Sequence, residues 1–219
     1  SVHVGYASWI SKKDIEKQRV SPVRVVNESW GFSICIAARL ERMKGVDLGI
    51  MALSELRRRQ NRAEVRLRIL GSGAELDNLQ ELVEELDMSA CVDFDGTFGY
   101  PEPFLSELSK SHIFVISNLN DEQPRVLFDA ICAGCLPIYP SSAAFAKLGM
   151  PLDLMYQVGD VNSLVEVMNN TLSLTEFDAQ QLKLQLLEAA MPFTIDSMHD
   201  KRRLWIEREI LSSTCVQEI

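Results

Sequence analysis

No apolar run in these 219 residues approaches the roughly 20 that a bilayer-spanning helix needs. No charged-then-apolar leader opens the chain, so self-directed secretion is not expected either. Basic residues are in deficit, 22 Lys plus Arg against 31 Asp plus Glu, for a net charge of −9. That balance argues against a broad surface for a nucleic-acid backbone and leaves room only for a small local basic site. Cysteines are few and odd in number, five at Cys35, Cys91, Cys132, Cys135 and Cys215, so reduced thiols in a cytoplasmic compartment are expected rather than a disulfide framework. Cys132-Ala133-Gly134-Cys135 is a lone CxxC without the second ligand pair that a zinc site requires. It closes a helical pattern rather than opening one, the wrong end for a lowered thiol pKa. The three histidines, His3, His112 and His199, are far apart, and no GxSxG, P-loop or HExxH motif occurs.

What is present is alternation. Short apolar runs at Ile34–Ala38, Val65–Leu70, Cys91–Phe94, His112–Ser117, Leu136–Tyr139 and Met155–Val158 read as strands buried on both faces. Between them, residues 46–59, 74–86, 101–109, 124–133 and 161–172 read as helices. Leu76, Leu79, Leu82, Val83 and Leu86 recur at spacings of three and four, one apolar stripe. Strand, helix, strand with short connections predicts right-handed crossovers and a doubly wound, parallel α/β sheet over residues 30–174. Residues 175–219 read as two further helices split at Met191-Pro192, and residues 1–29 as a polar, irregular connector.

In an open parallel sheet, ligands bind beyond the carboxyl ends of the strands. After the first strand, Arg39 and Lys44 share a strand-to-helix loop, where two cations can clamp a diphosphate or simply be solvated. After the second, Gly71-Ser72-Gly73 is a tight turn, a weak signal on its own. After the fourth strand come Asp121 and, eight residues on, Asp129, flanking a helix start whose free amides at Arg125 and Val126 would point at an anion. These carboxylates can face one cleft, or serve as a helix cap and a polar helix position.

Taken in order, AARLERMKG, ILGSGAELDNLQ, VDFDGTF and DEQPRVLFDAICAGCLPIYP resemble the carboxy-terminal half of the GT-B retaining glycosyltransferases, the glycogen-synthase-like and mannosyltransferase-like group also called glycosyl transferases group 1. The resemblance runs from about Ile34 to Leu172 and rests on the order and spacing of the four elements. It implies a Rossmann-like half that binds a nucleotide-sugar donor, with the acceptor bound by an amino-terminal half not contained here. Arg39 and Lys44 would then neutralise the donor diphosphate as it leaves, with no metal ion or other cofactor required. Asp121 and Asp129 fall where the family has two glutamates. The first would hold hydroxyls of the transferred sugar and the second the ribose diol. Gln123, Arg125 and Val126 would offer amides to sugar and phosphate, while Gly71, Gly73, Thr97 and Phe98 would border the sugar and base. The final helices would pack back towards the acceptor half, and any membrane contact would come through that half. The expected activity is hexosyl transfer with retention, absent from this domain alone. The two shortened carboxylates, and a glycine-free Tyr139–Ala144 segment where the family carries glycines, also fit a degenerate binding subunit; a nucleotide-sugar epimerase shares the two-domain architecture but fits the loops less well.

Overall fold

The computed structural model describes residues 9–23, 31–122 and 125–214. Six strands, β1 (Ser33–Ala37), β2 (Arg66–Leu70), β3 (Val92–Gly96), β4 (Ile113–Val115), β5 (Leu136–Pro140) and β6 (Met155–Tyr156), form one sheet in the order β3-β2-β1-β4-β5-β6. Every neighbouring pair is parallel. The doubly wound α/β sheet expected from the sequence is therefore what forms, and all six apolar runs contribute to it. The reason is burial: Ile34 to Ile36, all of β4 and all of β5 are shielded from solvent, so the central strands carry no polar face. Towards the edge the composition changes. Arg68 of β2 is held by Asp95 at 2.5 Å and by Glu107 at 2.7 Å, which satisfies a guanidinium that is only 17% exposed.

Helices cover both faces. On one lie α2 (Val46–Gln60), α3 (Leu76–Glu85) and α7 (Val161–Leu172), with α2 against both of its neighbours. On the other lie α4 (Glu102–Leu108), α5 (Arg125–Ala133) and α8 (Glu176–Ala190), again packed in series. A single turn, α6 (Ala143–Ala146), follows β5, and α9 (Ile195–Thr214) ends the described chain. The β6 run is shorter than its sequence suggests. Gly159 turns the chain at φ +74°, and Asp160 then caps α7 by accepting from the amides of Asn162 and Ser163.

The stretch before the sheet departs from the irregular connector expected of it. It contains α1 (Lys12–Arg19), opened by a capping box in which Ser11 Oγ accepts from the Asp14 amide and the Asp14 carboxylate accepts from the Ser11 amide. Ile15 is completely buried where α1 meets α5, α8 and α9. Four bonds fasten the segment to the far end of the chain. Ile195 N–H donates to the Ile10 carbonyl at 2.8 Å and Lys12 N–H to Asp196 at 2.8 Å. Lys183 Nζ donates to the Ser21 carbonyl at 2.6 Å and Val23 N–H to Gln180 at 3.0 Å. The last two helices thus serve this domain directly, α8 through Leu182, Leu186 and Leu187. No helix among the described residues is long and apolar enough to cross a membrane.

Candidate functional site

The strand order reverses direction between β1 and β4, and there the loops leaving the two strands diverge. Such a switch point opens a crevice at the carboxyl ends of the strands. The crevice here is a cleft of about 430 Å³ walled by Arg39 and Lys44 from the β1 loop, Asn118 and Glu122 from the β4 loop, and Arg125, Val126 and Asp129 from α5. Trp9, Tyr100 and Phe104 complete it. A second cavity of about 270 Å³ adjoins it at Ala38, Arg39 and Phe104 and continues over Gly71, Gly96, Thr97 and Phe98. At the opposite end of the sheet, the apolar hollow lined by Phe32, His112 and Leu174 measures only about 60 Å³, too small for a nucleotide.

The β1 loop is held from both sides. Leu40 N–H donates to the Ser72 carbonyl at 2.9 Å, the Leu119 amide donates to Met43 at 3.0 Å, and Ser117 Oγ donates to the Lys44 carbonyl at 2.7 Å. Residues 42–44 make one tight helical turn before α2. This sets the two cations in different surroundings. Arg39 is 74% exposed and pairs with Glu41 at 2.9 Å. Lys44 is 13% exposed and its ammonium pairs with the Glu122 carboxylate. Lys44 and then the Asn120 amide hold the Glu122 carboxyl below its usual range.

The Gly71-Ser72-Gly73 turn is required by close approach. A Cβ on Gly71 would stand 1.9 Å from the Ala38 carbonyl oxygen, at a φ of +147°, and one on Gly73 would stand 2.3 Å from the Leu40 oxygen. Gly71→Ala must push β1 and β2 apart where their loops enter the cavities. It is expected to cost about 2–4 kcal/mol, read as a lower urea midpoint with an unchanged slope.

Of the two aspartates, only Asp129 faces the cleft. It is 8% exposed and its Oδ1 accepts from the Tyr100 hydroxyl at 3.3 Å. Burial pushes its carboxyl up to about 6, against the opposing influence of the Tyr100 hydrogen bond and of Arg125. Tyr100 is half-exposed, but partial desolvation of its phenol, and next the Asp129 charge, push it up to about 12. Asp121 is turned away, its Oδ1 accepting from the Ala144 amide of α6 at 2.6 Å. The Ser142 hydroxyl and that amide hold its carboxyl below the usual carboxylate range. The neighbouring Glu122 takes the place in the cleft instead. Gln123 lies outside the described residues.

Glu122, Asn118, Tyr100 and Trp9 are cleft residues that the sequence reading did not select. Glu122 sits beside Asp121, so the acidic pair was visible, but which acid faces inward depends on the loop backbone. Nothing local marks Trp9, which is placed by α1. Among the described residues no disulfide links the cysteines, and Cys135 donates to the carbonyls of Leu108 and Ser111 inside the fold. No group of three or more His, Cys, Asp or Glu among the described residues could hold a metal ion.

The family model for glycosyl transferases group 1 matches residues 27–180. No curated protein matches the chain significantly. Among solved structures, HepE of Anabaena in complex with UDP-glucose is similar, at 18% identity and TM-score 0.73 over 96% of this chain and 57% of that one. A glycosyltransferase of Rickettsia africae aligns at 14% identity and TM-score 0.72, over 95% of this chain and 57% of its own. The catalytic domain of the cholesterol-α-glucosyltransferase of Helicobacter pylori aligns at 15% identity and TM-score 0.62, over 74% of this chain and 99% of its own. The chain thus spans little more than half the length of the first two.

Proposed function

The chain belongs to the glycosyl transferases group 1 family, and from that premise we propose that it is the donor-binding half of an enzyme that moves a hexose from a nucleoside diphosphate to an acceptor with retention of configuration. The observation that carries the reading is the cleft at the switch point. It joins two cations on one wall, Arg39 and Lys44, to a buried carboxylate on the other, Asp129. The diphosphate lies against Arg39 and Lys44, whose fixed charges stabilise the negative charge that grows on the departing nucleotide. Asp129 accepts from the ribose diol, and Tyr100 orients it. The base extends into the adjoining cavity over Gly71, Thr97 and Phe98, a slot bordered by the backbone of two strand ends. Asp121 serves the site by fixing the β4 loop to α6.

The two cations do the work that a divalent metal does elsewhere, so binding measured in EDTA is expected to equal binding in magnesium. The acceptor belongs to the other half of the enzyme, together with any membrane contact. Calorimetric titration with UDP, GDP and ADP tests the reading. Saturable binding of one nucleotide without sugar transfer is the expected result, and failure of all three to bind would overturn it.

A further inference from the structure

Resting on the donor-site reading, we propose that Glu122 is an internal counter-ion that a diphosphate must displace from Lys44, and that it selects against the free nucleoside diphosphate in favour of the nucleotide sugar. Lys44 is the more buried of the two cations, and Glu122 is its ion-pair partner. Two further donors keep the carboxylate there, Asn120 Nδ2 at 2.7 Å on Oε1 and Asn118 Nδ2 at 3.5 Å on Oε2. Glu41 on Arg39 is a different case, since that pair stands in solvent with the arginine 74% exposed and is easily exchanged. Glu122 is 42% exposed and lies on the cleft wall, so it can swing out, but it remains a negative charge beside the phosphates whichever rotamer it takes.

The energy of that repulsion scales with ligand charge. A nucleotide sugar has both phosphates esterified, whereas the released diphosphate ends in a phosphate whose second ionisation lies near pH 6 and adds about one charge at neutral pH. That extra charge falls on the phosphate next to the sugar. The carboxylate therefore penalises product more than donor and hastens its departure. Asp121 cannot play this part, because its carboxylate is bound to the α6 amide.

The test is calorimetric titration of the 219-residue chain and its Glu122→Gln variant with UDP, GDP and ADP, and with UDP-glucose, GDP-mannose and ADP-glucose. The Gln variant should bind the free diphosphate about tenfold more tightly and the nucleotide sugar only about threefold more tightly. Glu122→Asp, which keeps the charge, should retain the wild-type ratio of the two affinities. Should the Gln variant fail to melt cooperatively, Glu122→Ala carries the same expectation. A wild-type chain that binds a nucleotide beside a Gln variant with an unchanged ratio, or with weaker binding, would overturn the role of Glu122 and leave the donor site standing. Binding by neither protein would overturn both. A structural role alone cannot yield tighter binding, so the direction of the change is itself diagnostic.

Discussion

Lys44→Ala is expected to weaken nucleoside diphosphate binding by at least about a hundredfold, while Arg39→Ala weakens it by about tenfold. Both residues leave β1 in the same loop and carry the same charge, so the asymmetry comes from their surroundings. Lys44 is 13% exposed and cannot be replaced by a neighbouring cation or by bulk water. Its loss also leaves Glu122 in the cleft without its counter-charge, turning an attractive wall into a repulsive one. Arg39 is 74% exposed, and solvent screens its contribution. Titration of the two variants at 50 and 300 mM salt separates these effects. The residual binding of Arg39→Ala should show little extra salt dependence, and equal losses in the two variants would contradict the assignment.

Asp129→Asn is expected to stabilise the fold and destroy the site at once. The carboxyl's ordinary value is 3.8 and burial raises it to about 6 in the folded chain. The folded state therefore holds the proton more tightly, and this group's share of stability is complete below about pH 4 and lost as pH rises through 6. At neutral pH the charge is buried at a cost, which the amide avoids. Asn at this position should raise unfolding stability at pH 7.5 by about 1–3 kcal/mol relative to wild type, and the gain should vanish near pH 4. Urea denaturation of both proteins across that range reads it directly. The same change replaces an acceptor of two hydrogen bonds by an acceptor of one, so nucleotide affinity should fall about 10- to 100-fold. A 2′-deoxynucleoside diphosphate should bind more weakly than the ribonucleotide to wild type, and the two should bind equally to the variant.

The sheet was legible in the sequence because its central strands are buried on both faces, so β4 and β5 appear as unbroken apolar runs that need no partner to be recognised. Long helices with one apolar stripe were legible for the same reason, and α7 has the bounds read for it. Helix α1 was not. It is eight residues long with one buried side chain, Ile15, and its stability comes from helices far along the chain rather than from its own pattern. The site divides likewise. The positions of Arg39, Lys44 and Asp129 follow from where strands end and helices begin. The direction of the Asp121 and Glu122 side chains depends on loop torsions that no periodicity encodes, and Trp9 reaches the cleft only because α1 is docked.

The fastening of α1 to α8 and α9 also sets an order of events during synthesis. Lys12 must wait for Asp196, 184 residues later, and Val23 for Gln180, 157 residues later. Strands and crossover helices between them can assemble as they leave the ribosome, each beside a strand already made. Helix α1 cannot, and it settles only after α8 and α9 have been made. Trp9, joined directly to that segment, comes to rest with it, so one wall of the cleft is completed only once residues far along the chain have been made and docked.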